Sequence, residues 1–337
     1  MRLLVVGGTR FIGRHLVERA VDAGHHVTVF HRGVHRGQLD PNVERVLGDR
    51  NGDLSALRTA GPWDAVIDTC AYTPDQVHHL ADTLADTLAT KPTTPTPPCY
   101  VMISTVSVYD DPPPHHDETA ALLGGTVGYG AMKARCEQAA RDHFGDACLI
   151  VRPGYVVGPY DYSWRFPWWV TRLARGGNVL APGPPEDPLQ LIDGRDLAAW
   201  IIEGLRTGLR GTYHTVGPVG PVGPEAPLTF GGLLHTIASA VAPVDTNVVW
   251  VDAAFLAQRG LGPRDLPLWD APGRRGHTRT AHPGAALRAG LVLRPLELTV
   301  TDTLRWARAN PGGGQVGLDS GHELALLRAW HRRRDAP

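Results

Sequence analysis

Two residues in the stretch VGYGAMKARCE, Tyr129 and Lys133, have the types and spacing for proton transfer. A separation of i, i+4 puts both on one face of a helix. A cation beside a phenol lowers its pKa from about 10 toward working pH, so the phenol can give or take a proton. Lysine suits the second position better than arginine, because an ammonium is compact and can change its protonation state. That choice is informative in a chain that writes nearly every basic residue as Arg and carries lysine only at Lys91 and Lys133. Upstream, YVMISTVSVYDD ends a strand in Ser104, Thr105 and Ser107. A hydroxyl there can donate to a substrate carbonyl and polarise it. Thr105, 24 residues before Tyr129, is the first choice for that donor and Ser107 the alternative, with Ser104 satisfying the strand end.

A second constellation lies at the start of the chain, VVGGTRFIGRHL. Gly7, Gly8 and Gly13 surround Thr9, Arg10, Phe11 and Ile12 between a buried strand and a helix. Glycine lets such a turn take positive φ and lets the helix lie close to the strand. The helix N-terminus then offers free N–H groups to a pyrophosphate. The next strand, HHVTVFHRG, ends in His31 and Arg32 where an acidic residue would hold an adenosine ribose 2′-OH. No carboxylate repels a 2′-phosphate there, and Arg10 and Arg32 can grip one. The expected cofactor is therefore NADP(H), with NAD(H) as the alternative; the competing reading leaves both arginines simply solvated. By strand order, Asp49 and Arg50 in VLGDRN fall near the adenine, and Cys70 and Ala71 pass under the adenosine ribose.

The elements that must position these groups alternate. Strands are expected at Leu3–Val6, His26–Phe30, Arg45–Leu47, Ala65–Asp68, Tyr100–Ser104 and Cys148–Arg152. Helices are expected at Phe11–Ala23, about Pro74–Leu88 and Gly130–Phe144. This predicts an α/β fold, a Rossmann-type doubly wound parallel sheet with a smaller α+β substrate domain. Ala89–Pro98 and Gly217–Pro227 are too rich in proline or glycine for regular elements and read as loops. Later expected pieces are a helix at Val170–Arg175, a loop from Gly176, a strand at Leu189–Ile192, a helix at Asp196–Leu205, a strand at Gly211–Val216 and a last helix near Leu298–Ala309.

Five stretches in order, GGTRFIG, ISTVSVY, YGAMK, VRPGYVVGP and QLIDGRDLA, resemble the NAD(P)-dependent epimerase/dehydratase branch of the extended short-chain dehydrogenase/reductase family. The glycine turn resembles that family's GxxGxxG form with Arg10 at the middle glycine, as in its atypical members, which include chloroplast stem-loop-binding proteins. The resemblance runs over roughly residues 1–310. It implies that Thr105, Tyr129 and Lys133 act as a catalytic trio, and that Pro153, Gly154 and Val156 pass beside the nicotinamide. It implies a dinucleotide-binding domain of 1–157 plus 189–217, a substrate-binding domain of 158–188 plus 218–337, and a homodimer.

On the substrate side, Tyr109, Trp164, Arg165, Trp168, Gln190 and Trp269 are pocket candidates, the aromatics competing with a role as core of the second domain. With a net charge of −1, nothing favours nucleic acid or an anionic membrane as partner; a small-molecule substrate is expected. Cys70, Cys99, Cys136 and Cys148 form no CxxC pair, and no His cluster has metal-ligand spacing, so no metal is expected. Reduced thiols, with no signal peptide or membrane span, point to a cytoplasmic protein. The leading function is an NADP(H)-dependent oxidoreductase. The alternatives are a nucleotide-sugar epimerase or dehydratase with tightly held NAD, and a non-catalytic RNA- or NADP-binding protein.

Overall fold

The computed structural model describes residues 1–35, 39–85, 87–88, 98–217, 228–269, 281–311 and 316–334. The expected loops at 89–98 and 217–227 lie outside them, apart from Pro98 and Gly217. The strands are β1 (Arg2–Val6), β2 (His26–His31), β3 (Glu44–Leu47), β4 (Ala65–Asp68), β5 (Cys99–Ile103), β6 (Cys148–Pro153), β7 (Tyr155–Val157), β8 (Asn178–Pro182), β9 (Leu191–Asp193), β10 (Gly211–Thr215) and β11 (Asn247–Val251). The helices are α1 (Phe11–Asp22), α2 (Ser55–Ala60), α3 (Pro74–Leu84), α4 (Tyr129–Phe144), α5 (Arg165–Ala174), α6 (Gly194–Thr207), α7 (Phe230–Val241), α8 (Ala253–Ala257), α9 (Gly284–Arg288), α10 (Leu296–Ala309) and α11 (Ser320–Arg334). They belong to two compact units, Met1–Val156 with Leu191–Gly217 and Thr280–Leu293, and Val157–Gln190 with Pro218–Arg279 and Arg294–Pro337.

The first unit is built on a seven-stranded sheet in the order β10-β6-β5-β4-β1-β2-β3, every pair parallel. RLLVV, AVID and CYVMI are apolar almost throughout because helices cover both faces of such a sheet. The order reverses between β1 and β4, which opens a crevice at their C-terminal ends. α3 begins at a capping box, Thr73 with Gln76, and has proline in its first turn. It stops at Leu84, short of the expected Leu88, because the chain turns back: Trp63 N donates to Thr87 O (2.9 Å) and Leu88 bridges to Trp63. The return of the chain over Thr280–Leu293 differs from the expected division, which leaves that segment with the second unit. It is held by Trp200 Nε1 donating to Ala289 O (3.0 Å) and by Leu293, whose Cδ1 lies 2.2 Å from where a Cβ on Gly217 would stand.

The second unit carries a two-stranded parallel sheet, β8 with β11, and α5, α7 and α10 packed together. α5 starts five residues before the expected Val170. Its Pro167 sits in the first turn, where no backbone N–H is needed. Asn178–Pro182, expected as loop, is a strand, and α11 was not anticipated. Glu323 of α11 explains its place: its carboxylate accepts from Arg172 Nε (2.7 Å) and Leu180 N (3.0 Å).

A buried polar chain crosses the first unit. Glu137 of α4 accepts from Ser104 Oγ (2.5 Å) and from Arg152 through Nε (2.9 Å) and Nη2 (2.6 Å). Arg152 also donates to the Tyr109 hydroxyl, which meets His214 Nε2. His214 Nδ1 faces His282 O at 3.1 Å, so Nδ1 carries the proton and Nε2 accepts. Burial holds His214 neutral, with its pKa lowered to about 3. The unfolded chain takes up a proton near pH 6.5 that the folded one refuses, so this group's stabilisation is complete above that pH and declines as the pH falls toward 3. Urea unfolding of the wild type and His214→Asn between pH 4 and 7 should show a wild-type stability slope steeper by up to about 1.4 kcal/mol per pH unit. Parallel slopes would contradict the assignment.

Candidate active site

Backbone crowding forces the glycine turn. Gly7 has φ +91°, and a Cβ there would lie 2.6 Å from Thr69 Oγ1. A Cβ on Gly13 would lie 2.3 Å from Gly7 O, so no other residue lets α1 come this close to the turn. Gly7 N donates to Phe30 O (3.0 Å), tying the turn to the end of β2. Arg10 is the N-cap of α1 but makes no side-chain cap bond, and no acidic residue occupies the first turn. The first turn of α1 thus has neither a side-chain cap from Arg10 nor a carboxylate of its own. Phe11 follows at φ +39°, a strained value for a non-glycine residue. Thr9 and Ile12 are half-buried. Arg10 is exposed and its Nη1 lies 3.2 Å from His35 Nε2, on the loop that follows β2. His31 ends β2 and is buried, and Arg32 beside it is exposed.

Asp49 is exposed and accepts from Asn51 N (2.9 Å). Arg50 turns the other way. It grips Asp68 at the end of β4 with Nη1 and Nη2 (2.6 and 2.9 Å) and also reaches Cys70 Sγ (3.3 Å) and Gln76 O (3.1 Å). This corrects its expected role against the adenine: both Nη groups are spent on protein. Asp68 takes further bonds from Tyr100 OH (2.9 Å) and Cys70 N (3.0 Å). Burial alone would raise its carboxyl, but the Arg50 guanidinium outweighs that and holds it below the usual carboxylate range. Burial pushes the Cys70 thiol up, which makes it a poor nucleophile.

Lys133 is buried on α4, and its Nζ donates to Ala71 O (2.8 Å) and Ile103 O (2.6 Å), beyond the ends of β4 and at the end of β5. Burial lowers its pKa, and the Asp68 carboxylate opposes that. The Tyr72 ring lies 5.9 Å from Nζ. Tyr129, the first residue of α4 and one turn before Lys133, is 55% exposed. Gly130 brings the hydroxyl loop to it, since a Cβ at 130 would lie 2.0 Å from Ser107 O. Thr105 Oγ1 accepts from Ser107 N (3.1 Å) and lies 3.2 Å from Ser107 Oγ, so it caps the short turn Val106–Val108 and pairs with Ser107. Ser104 points instead to Glu137. Beyond Arg152, Pro153 and Val156 are buried and Gly154 half-buried, in the same unit.

The substrate-side expectations need correction. Tyr109 is fully buried, packed with Val108 and Ala134, and its hydroxyl is held by Arg152 and His214, so it does not line a pocket. Trp164, Arg165, Trp168, Gln190 and Trp269 all belong to the second unit. Trp168 and Trp269 are buried, and Trp168 packs edge-on against Trp169 as core. Gln190 is buried too. Trp164 is half-buried and tilted against Trp306 with ring centroids 5.8 Å apart, and Arg165 Nε donates to Ser163 Oγ (3.0 Å). Sequence reasoning missed Asp68, Tyr72, Tyr100, Glu137 and Arg152. Of these, Glu137 carried a signal, because it continues the i, i+4 series from Tyr129 and Lys133.

Among the described residues, no group of three or more His, Cys, Asp or Glu could hold a metal ion, and no helix is long and apolar enough to cross a membrane. All four cysteines are free. The sequence model of the NAD dependent epimerase/dehydratase family matches residues 3–215, from β1 through Thr105, Tyr129 and Lys133 to the end of β10. The chain belongs to this family. Among its relatives, the chloroplast stem-loop binding protein of 41 kDa b from Arabidopsis thaliana is 26% identical over 259 residues, 71% of this chain and 63% of that protein. The chain thus spans less than two thirds of that relative's length. The family's fold recurs in a UDP-N-acetylglucosamine 4-epimerase from Methanobrevibacter ruminantium, solved with UDP-N-acetylmuramic acid, at TM-score 0.68 and 17% identity over 92% of this chain and 99% of that one. It recurs in the Bordetella bronchiseptica enzyme WbmH, solved with NAD+, at TM-score 0.66 and 17% identity over 92% and 98%.

The Arg50–Asp68 pair gives a direct structural test. Asp68→Asn leaves a buried guanidinium without its counter-charge and should cost about 3–5 kcal/mol of stability. Asp49→Asn, on the exposed loop, should leave stability within about 0.5 kcal/mol of wild type. Urea denaturation of the two variants reads both outcomes.

Proposed function

We propose that the protein is an NADP(H)-dependent oxidoreductase that transfers hydride between nicotinamide and a carbonyl, alcohol or imine carbon of a small molecule. The observation that carries this reading is the end of β2, where His31 and Arg32 stand in place of a carboxylate and Arg10 occupies the N-cap position of α1. The residues present fit a dinucleotide: Gly7 and Gly13 let the start of α1 lie tight against the end of β1, and the first turn of α1 offers its N–H groups. When bound, the nicotinamide supplies or takes up the hydride.

The chain's own residues do the rest. Tyr129 gives or takes the proton at the substrate oxygen. Thr105, with Ser107, orients that oxygen by hydrogen bonding. Lys133 spends two of its three ammonium protons on Ala71 O and Ile103 O, and the third is the donor for a cofactor ribose. Arg10 and Arg32 hold the 2′-phosphate.

A second reading keeps the same site without net redox, an epimerase that returns the hydride to the same sugar. The UDP-sugar epimerase among the similar folds favours it. A dehydratase is less favoured, since Val106 follows Thr105 and supplies no acid. RNA binding, suggested by the stem-loop binding relative, is opposed by the net charge of −1 and the retained Tyr129 and Lys133.

Two substitutions test the leading reading. Arg10→Ala should weaken NADPH binding about tenfold or more and leave NADH binding unchanged in fluorescence titrations. An unaltered NADPH/NADH preference would remove the argument for NADP(H). Tyr129→Phe should lower turnover of any carbonyl substrate by about 10²-fold or more while NADPH still binds with wild-type affinity. A wild-type rate would eliminate Tyr129 as the acid–base group.

A further inference from the structure

The glutamine that caps α3 is bonded beyond what the helix requires. A capping box needs the side chain at its third helical position to accept from the N-cap N–H. Gln76 Oε1 does accept from Thr73 N, at 3.3 Å, but it takes a shorter bond, 2.7 Å, from Tyr72 N outside the helix. Two backbone N–H groups aimed at one atom identify it as the amide oxygen. The amide nitrogen donates to Asn51 Oδ1 (2.7 Å), and Gln76 O accepts from Arg50 Nη2 (3.1 Å), so the residue is held from two further sides. Tyr72 N shares a peptide unit with Ala71 O, the carbonyl that accepts from Lys133 Nζ at 2.8 Å. A peptide is planar and trans, so its N–H and C=O point in opposite directions and turn together. The grip on the N–H therefore sets the direction of the carbonyl and, by polarising the amide, strengthens it as an acceptor. The other carbonyl that holds Lys133 is built alike: Ile103 O shares its peptide with Ser104 N, which donates to Val151 O (2.7 Å). There the grip comes from a neighbouring strand; at Ala71 it comes from the side chain of Gln76.

We infer that Gln76 is a positioning residue for Lys133, acting through the Ala71–Tyr72 peptide to aim the ammonium and leave one of its protons for a ligand. The inference rests on the role proposed for Lys133 above and deepens it. The two halves of the capping box separate positioning from capping. The Thr73 side chain accepts from Gln76 N and so serves α3, whereas Gln76 also holds the peptide that meets the lysine.

The scarcity of lysine makes this testable without turnover. The chain has only Lys91 and Lys133, so protein grown with lysine isotope-labelled at Cε gives two NMR resonances, and Lys91→Arg assigns them. Gln76→Met keeps the length of the side chain without its amide, and Thr73→Val removes the hydroxyl half of the box. Each loses one half of the α3 cap, so both should show similar drops in urea midpoint. Only Gln76→Met should move the Lys133 resonance and make Lys133 titrate at lower pH than in wild type, because a weakened acceptor favours the ammonium less. The charges around Lys133, those of Asp68, Arg50 and Glu137, and the thiols Cys70 and Cys136, are the same in every variant. NADPH affinity should fall about fivefold in Gln76→Met and stay within about twofold of wild type in Thr73→Val. An unmoved Lys133 resonance in Gln76→Met would overturn the inference. So would a Thr73→Val that moves it as far, because integrity of the cap would then be the cause. Failure of the oxidoreductase reading looks different: wild type would bind neither NADPH nor NADH, while the Lys133 resonance still moved in Gln76→Met.

Discussion

Lys133 is 2% exposed, and its ammonium makes two short hydrogen bonds to backbone carbonyls, Ala71 O and Ile103 O. A buried cation is tolerated only when its donors are met, so these bonds constrain three pieces of chain at once. They fix α4 against the segments that leave β4 and β5, the strands next to the sheet's reversal point. The placement of Tyr129 one turn earlier on α4, and of Thr105 two residues beyond Ile103, follows from that clamp. Arginine would bring a planar fork of five donors into a space shaped for a point charge with two acceptors in reach. In a chain that favours Arg so heavily, retention of lysine here is a physical requirement.

Charge elsewhere in the first unit is arranged in closed sets. Arg50 and Tyr100 converge on Asp68 at the end of β4, and Arg152 and Arg141 converge on Glu137 of the same helix that carries Lys133. Asp68 offsets the charge of Arg50, and Glu137 offsets that of the buried Arg152 while Arg141 reaches solvent, since unpaired buried ions are costly. Against that background, the end of β2 is distinctive. Arg10, Arg32 and His31 gather donors at one edge with no carboxylate among them, and two of the three are exposed.

Much of this was legible in the sequence where the signal is local. The apolar runs of β1, β4 and β5 stand at their expected positions within a residue or two, because strands buried on both faces leave no other pattern. The glycine turn and the Tyr129–Lys133 spacing are likewise short-range signals. What the sequence hid depends on partners far along the chain. Arg50 looked like a ligand contact beside Asp49, but its partner is Asp68, 18 residues away. Tyr109 sits two residues from Ser107, yet its hydroxyl is claimed by Arg152 and by His214, 105 residues on. β8 is a five-residue run whose identity as strand is conferred by β11, and α11 has a weakly amphipathic face anchored by the buried Glu323 with Leu326 and Leu327. Composition and periodicity carry no information about such choices.

The most direct measurement is a parallel titration of the purified wild-type protein with NADPH and NADH, preceded by an assay for nucleotide already bound. A nucleotide-free protein that binds NADPH about tenfold or more tightly than NADH is expected from a donor-lined β2 end. Protein that emerges carrying NAD+, or that binds the two reduced nucleotides equally, would contradict a 2′-phosphate site and shift the chemistry to an epimerase that never releases its cofactor.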